Sequence, residues 1–394
     1  MPTSPHSPLS VTWKQVAAFR LARHHLLERA SRKALLSVVR DMGGAQAQLL
    51  SAAQISLWSR ICDLQIADVE KALRKRTLVK ASCMRRTLFL IPSKDLSAFV
   101  RGTAGRGEKE IRWARGKGVP DRVIEAAIEA ALGVLDRPLT RPEIAERASR
   151  ALGVSMQVVH GGGWGHRKKV AAVPVGQLAY PVVDLLHLAS ARGVVCYGPN
   201  RGNEPTFVRA DAWIPKWKDV PGEEAEEMLL RTYLRAFGPA TPADFSLWTG
   251  ITLTEALQIW ARLQTDFASV NVEGWEAAVL RKDLEALEQA RFEYPRTSLL
   301  PYFDSFLLGH KERDHLAARE HLTKIYRPQG WIAPVVLVDG RVTAIWEYTR
   351  DENRLRVRVR KFGSIPRPIA AALREEARDL SRFLRVSKVD VQMG

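Results

Sequence analysis

Pro138-Leu139-Thr140-Arg141-Pro142-Glu143 reads as a helix start, and the same pattern returns as Pro239-Ala240-Thr241-Pro242-Ala243-Asp244. In each, a threonine is followed three residues later by an acid, so that the two side chains can satisfy each other's backbone amides as a capping box. Each has a proline in the first turn, where its missing N–H costs no hydrogen bond. A helix precedes each start, Val123 to Leu135 and Glu223 to Phe237, and a further helix and β-rich runs follow. In the first case those runs are Gly193 to Tyr197 and Thr206 to Val208, joined by the turn-forming Gly-Pro-Asn-Arg-Gly-Asn of 198–203. In the second they are Phe267 to Val272 and Ala277 to Leu280.

The N-terminal part has the same outline. Thr12 and Gln15 form a capping box ahead of Val16, Phe19, Leu21 and Leu26. A second helix is expected near Ser31, a third from about Gln46 to Ile61 after the break at Gly43-Gly44, and a short one over Ala67 to Leu73. Two β-rich runs, Leu78 to Cys83 and Thr87 to Ile91, close the unit. Helices followed by a two-stranded hairpin are the outline of a winged helix. After residue 290 the pattern changes. Val335 to Val342 is a hairpin with Asp339-Gly340 at its turn, Arg354 to Lys361 is a strand, and Pro368 to Leu384 is an amphipathic helix. The expectation is an α+β protein with three tandem winged helix-turn-helix units, 11–118, 119–218 and 219–290, and a C-terminal α+β module rich in β-structure over 291–394.

The 394 residues carry 60 Lys and Arg against 43 Asp and Glu, a formal charge of +17. An excess of that size draws polyanions and points to nucleic acid, with a ribosome-associated protein or mere solubility as alternatives. Cys62, Cys83 and Cys196 are isolated, which argues against a disulfide framework or zinc finger, and His310, His315 and His321 lack ligand spacing. No metal and no cofactor are expected. Neither a secretory leader nor an apolar run of about 18 residues is visible, so the expected location is cytoplasmic and nucleoid-associated, away from membranes, with the chain acting as a monomer.

Between Lys71 and Lys117 there are fourteen basic residues and three acids, punctuated by glycines that let the backbone approach phosphates. Lys75, Arg76, Lys80, Arg85, Arg86, Arg106, Lys109, Arg112 and Arg115 are the candidate contacts there; a solvated loop is the bland reading. A second patch is Arg354, Arg356, Arg358 and Arg360, which alternate with Leu355, Val357 and Val359. On a strand that makes one arginine face and one apolar face, suited either to a phosphate backbone or to protecting an exposed edge. The third, Gly161-Gly-Gly-Trp-Gly-His-Arg167-Lys168-Lys169, offers stacking and charge, or is a linker.

Taken alone, Ala45-Gln46-Ala47-Gln48 is an ordinary polar helix start. In context, Gly44-Ala-Gln-Ala-Gln48, Leu78-Val-Lys-Ala81 with Met84-Arg85 and Thr87-Leu88, and Leu299-Leu-Pro-Tyr-Phe-Asp-Ser-Phe-Leu-Leu-Gly309 are similar to segments of the AlkZ/YcaQ family. Pro334 to Val342 also looks like that family's C-terminal hairpin. The resemblance runs from about residue 11 to 350. It implies winged-helix DNA glycosylases that excise bulky alkylated bases and unhook interstrand crosslinks, with three winged helices forming a concave DNA-binding surface. The family's Gln-x-Gln motif carries over onto Gln46 and Gln48; glutamine at both positions places the chain on the AlkZ-like branch, since YcaQ-like members have Asp at the second. Where members often read Arg-Gly-Thr-Leu-His, this chain reads Arg85-Arg86-Thr87-Leu88-Phe89.

Amides fit one version of this chemistry. Glutamine cannot take a proton at neutral pH but can donate and accept hydrogen bonds. An N7- or N3-alkylated purine is cationic and departs neutral without an acid, so the remaining task is to place a water near C1′. Asp304 could stabilise the sugar cation or orient water, or could be a buried turn cap. Nothing singles out a lysine for Schiff-base chemistry, so a monofunctional DNA glycosylase acting on duplex DNA is expected. The competing class is a non-catalytic winged-helix regulator or architectural factor. An RNA-binding protein is disfavoured by the missing aromatic motifs of an RRM.

Overall fold

The computed structural model describes residues 8–163 and 166–394, the side chains of 106, 161–163 and 166–168 excepted. The chain divides into two compact units, one of residues 1–71, 230–248 and 252–394, the other of 72–229 with 249–251.

The capping boxes read from the sequence form and start the helices where expected. Gln15 N donates to Thr12 Oγ1 at 3.2 Å, while Thr12 N donates to Gln15 Oε1 at 2.9 Å. They begin α1, Trp13–Arg23. Thr140 and Glu143 close the same box ahead of Arg141–Ala151. Thr241 and Asp244 exchange hydrogen bonds ahead of Pro242–Thr249. A fourth box, Thr252 with Glu255, starts Leu253–Arg262 and was not anticipated.

In the first unit β1 (Leu9–Val11) and α1 are followed by α2 (Leu35–Asp41), β2 (Ala45–Gln46) and α3 (Leu50–Trp58); α4 is Ile66–Arg74. In the second unit β3 (Leu78–Ser82) and β4 (Leu88–Pro92) pair antiparallel. Helices Gly105–Gly116, Asp121–Gly133 and Arg141–Ala151 follow. Next come β5 (Gln157–Gly163), β6 (His166–Val175) and β7 (Leu178–Pro181), an antiparallel meander whose first two strands include the stretch 161–169 expected as a loop or linker, Trp164 and Gly165 of which lie outside the described residues. The glycines there form ladder pairs, Gly161 with Lys168 and Gly162 with Arg167. Glycine weakens the sequence signal of a strand without preventing pairing once a partner strand is present. β8 (Val195–Tyr197) and β9 (Phe207–Arg209) pair as expected, and Lys80 opposite Tyr197 joins them to the first hairpin in the order β4–β3–β8–β9. Ile124, Ile128, Ile144, Val173 and Leu185 fill this unit's core.

Back in the first unit, β10 (Phe267–Val272) and β11 (Trp275–Leu280) form a hairpin, with β1 parallel to β10 on its outer edge. The last sheet has the order β12–β13–β14–β15–β16, built from Thr297–Leu300, Val335–Val338, Arg341–Arg350, Arg354–Lys361 and Lys388–Met393. Asp339 and Gly340, both at positive φ, make the turn between β13 and β14, the geometry an Asp-Gly hairpin requires. Leu21 and Leu26 share one core with Phe303, Leu307, Val335 and Leu337, so residues after 290 pack directly on the N-terminal helix region. The α+β class read from the sequence is the class observed. Among the described residues, no helix is long and apolar enough to cross a membrane.

Candidate active site and nucleic-acid interface

Gln46 and Gln48 do not open a helix. Gly43 and Gly44 have φ of +69° and +89°, and the chain then runs extended through Ala45–Gln46 before α3 begins at Leu50. The glycines explain the difference from the expected helix, since both hold a backbone conformation that breaks α-helical continuity. Gly43 has a second constraint: a Cβ would lie 3.1 Å from the Trp248 ring and 3.3 Å from Phe237. Those rings pack with Tyr233 and Phe245 in a buried aromatic cluster. The alanines of Ala45-Gln46-Ala47-Gln48 are buried completely, Gln46 is 6% exposed, and Gln48 is half-buried. Gln46 Oε1 has no hydrogen-bond partner among the described residues. A buried amide acceptor left unsatisfied costs about 1–3 kcal/mol.

The Phe303 to Gly309 segment is tied to the chain on either side of this stretch, at Gly44 before it and at Ser56 and Arg60 after it. Upstream, Ser305 Oγ donates to the Gly44 carbonyl at 2.7 Å. Downstream, the Asp304 carboxylate accepts from Ser56 Oγ at 2.7 Å, from Arg60 Nη1 at 2.9 Å and Nη2 at 2.7 Å, and from Phe306 N at 3.0 Å. Ser56 is on α3 and Arg60 just after it. The Arg60 and Asp304 side chains have no exposed surface, and Asp304 also caps the short helical turn Ser305–Leu308. Its carboxylate is thus engaged by four donors out of contact with solvent. The segment ends at Gly309, whose missing Cβ leaves room for Phe237 and whose carbonyl accepts from the Tyr233 hydroxyl at 2.7 Å. Sequence reading missed Arg60 and Ser56. The signal that marks them is the one charge in Ile55-Ser56-Leu57-Trp58-Ser59-Arg60-Ile61, a mostly apolar helix end, since an arginine buried there needs an acid elsewhere.

A cleft of about 470 Å³ opens immediately after Gln48, lined by the start of α3 on one side and by β14 and β15 on the other. Arg356 and Arg358 are among its lining residues. The arginine face is as the alternation implies, with Arg354, Arg356, Arg358 and Arg360 exposed and Leu355, Val357 and Val359 buried. β15 lies between β14 and β16, however, so the edge-protection reading loses its premise. Three of the arginines are paired: Arg356 with Asp351 at 2.8 Å, and Arg358 and Arg360 with Glu347 at 3.4 and 2.9 Å. Arg360 and Arg358 hold the Glu347 carboxyl below the usual carboxylate range.

The basic residues of the other unit sort in the same way. Arg76 lies 3.8 Å above the Trp213 ring, Arg86 pairs with Glu110 at 2.6 Å, and Arg115 pairs with Asp121 at 2.8 Å. Lys80 is half-buried over Tyr197, and burial lowers its pKa. Arg85 occupies the positive-φ turn between β3 and β4, against Gly250. Lys75, Lys109 and Arg112 are exposed, with no acidic partner among the described residues. Lys169 is exposed on β6, whereas the side chains of Arg106, Arg167 and Lys168 lie outside the described residues. Phe89, at the position where members of the resembled family often have histidine, is a buried core residue of β4.

Residues 39–383 match the family described as "DNA glycosylase AlkZ-like". The interstrand DNA cross-link repair glycosylase of Streptomyces sahachiroi is 31% identical over 395 residues, covering 98% of this chain and all of that protein. The solved structure of the Streptomyces sahachiroi DNA glycosylase AlkZ superposes with a TM-score of 0.82 at 27% identity, over 98% of this chain and all of that one. The chain therefore belongs to the AlkZ-like family of DNA glycosylases, hydrolases of N-glycosyl bonds.

Proposed function

We propose that this chain releases N7- and N3-alkylated purines from duplex DNA, interstrand crosslinks included, with Gln46 and Gln48 holding the attacking water. The observation that carries the reading is the unpartnered, buried Gln46 Oε1, two residues after the Gly44 carbonyl that Ser305 holds. A side-chain carbonyl there accepts a hydrogen bond from water and presents the water's lone pair to C1′. Gln48, two residues on and half-buried, supplies the second amide. Neither amide can protonate a leaving group, so the substrate's own positive charge must make the base depart. Asp304, with all of its hydrogen bonds internal, acts in this reading by fixing α3 rather than by touching the sugar.

Duplex contact is assigned to winged helices at 11–118, 119–218 and 219–290. Of the candidate contacts, the phosphates fall to exposed cations with no carboxylate partner among the described residues: Lys75, Lys109, Arg112, Lys169 and Arg354. The enzyme would act as a monomer on cytoplasmic, nucleoid DNA without a cofactor. The test compares duplexes bearing N7-methylguanine, N3-methyladenine or only normal bases, each treated with alkali after incubation, with borohydride added in parallel. Abasic sites from the two cationic bases alone, with no covalent protein–DNA product, are expected. Comparable release of unmodified guanine, or a trapped Schiff base, would overturn the mechanism.

A further inference from the structure

Within the second unit, the helix Gly105–Gly116 and β7 border a groove of about 440 Å³. Trp113 lines it and is 49% exposed. Lys109, four residues earlier on the same helix face, lines the groove as well. Just beyond the helix, Lys117 is exposed, and its Nζ lies 5.9 Å from the Trp113 ring centroid. A single exposed aromatic side chain is ordinary on a protein surface. An indole set between cations is less so, and it matches the way proteins hold unstacked bases.

The groove also has a polar edge. Tyr180 stands edge-on to Trp113, with ring centroids 6.3 Å apart and planes 89° apart. Tyr180 is 6% exposed, and its buried hydroxyl has no hydrogen-bond partner among the described residues. Burial, then the charges of Glu110 and Asp184, push that hydroxyl up to about 12, so at neutral pH it is a donor. Glu110 is taken up by Arg86 at 2.6 Å. Asp184 lies 4.0 Å from the same guanidinium and, exposed at the groove, keeps acceptor capacity.

We propose that this groove receives an undamaged, unpaired nucleobase, stacked on Trp113, with Lys109 and Lys117 on its flanking phosphates. The groove shares no residue with the Gln46 and Gln48 segment, and the proposal does not depend on the reaction placed there. In a duplex both faces of each base are covered by its neighbours, so a base can lie on an indole only when it has left the stack. Phosphate contact alone would use the lysines and leave the indole, the hydroxyl and the carboxyl idle. An unpaired base engages all three, its ring face on Trp113 and its edge of donors and acceptors toward Tyr180 and Asp184. The volume falls in the range of sites that enclose small molecules.

The experiment measures affinity by fluorescence anisotropy for three undamaged duplexes at one salt concentration. One is fully paired, one has a single bulged cytosine, and one has an abasic residue in place of that cytosine. Wild type should bind the cytosine bulge about tenfold more tightly than either of the others, the scale of one stacked base. Trp113→Ala should lose this preference and bind the paired duplex within about twofold of wild type, whereas Trp113→Phe, which keeps a ring, should retain most of it. Equal binding of the cytosine and abasic bulges by wild type would overturn the proposal, because flexibility of the bulge and not its base would then be recognised. So would a preference that survives Trp113→Ala, or an equal loss by that variant on all three duplexes. The DNA carries no lesion, so the outcome is independent of whether Gln46 and Gln48 hold the attacking water.

Discussion

Ser305 Oγ donates a 2.7 Å hydrogen bond to the carbonyl oxygen of Gly44, tying the Phe303–Gly309 segment to the backbone two residues before Gln46. Removing that bond leaves a buried carbonyl unsatisfied and frees one end of the Gln-x-Gln stretch. A displacement of about 1 Å at a reacting centre can cost about a hundredfold in rate. Ser305→Ala should therefore slow single-turnover release of N7-methylguanine between about ten- and a hundredfold, while duplex affinity by fluorescence anisotropy stays within about twofold. An unchanged release rate would show that the tie has no role in positioning.

The buried ion pair gives a stability prediction. Asp304→Ala leaves the Arg60 guanidinium, with no exposed surface, without its carboxylate. Breaking a buried pair from one side costs about 3–5 kcal/mol. Urea unfolding of Asp304→Ala should show a loss of that size. A double variant, Asp304→Leu with Arg60→Met, should recover part of it, because no uncompensated charge then remains inside.

Acid should destabilise the first unit through its histidines. His24 and His310 are buried, and burial holds both, together with His315, well below the ordinary histidine value of 6.5. The unfolded chain takes up protons on these rings as pH falls through 6.5, whereas the folded chain does not. Stability is therefore full above that pH and declines below it. Asp68, Asp211 and Asp219 are lowered from 3.8 and Glu143 to about 2, so their contributions are lost only at lower pH. Melting temperature should fall between pH 7 and pH 5; a flat profile there would contradict the assignment.

Salt dependence separates the paired from the unpaired cations. Each phosphate contact contributes about 0.9 to the slope of log affinity against log salt. Lys109→Gln with Arg112→Gln should reduce that slope by nearly 2 and weaken binding to all duplexes alike. Arg115→Gln, which removes a cation already held by Asp121, should change it little.

Local features were legible in the sequence wherever they depend on neighbours. The three expected capping boxes, the Asp339-Gly340 turn and the two faces of β15 each involve residues a few positions apart, and each forms as read. What failed depended on distant partners or on backbone angles. The extended conformation of Ala45–Gln46 follows from positive φ at Gly43 and Gly44, which a polar, helix-compatible string does not reveal. The β5–β6 hairpin pairs glycines that, by composition, resemble a linker. Arg60 and Asp304 are 244 residues apart, so neither position discloses the other. The family resemblance singles out Gln46 and Gln48, but not the Ser305, Arg60 and Asp304 contacts on either side of them.

The most direct measurement is the rate of N7-methylguanine release by Gln46→Ala and Gln48→Ala, each confirmed as folded by its melting curve and as DNA-binding by anisotropy. If the two amides hold the water, each variant should lose at least about a hundredfold, the usual scale for a group that acts on the reacting atoms, with duplex affinity retained. Release at the wild-type rate by either variant would contradict the account.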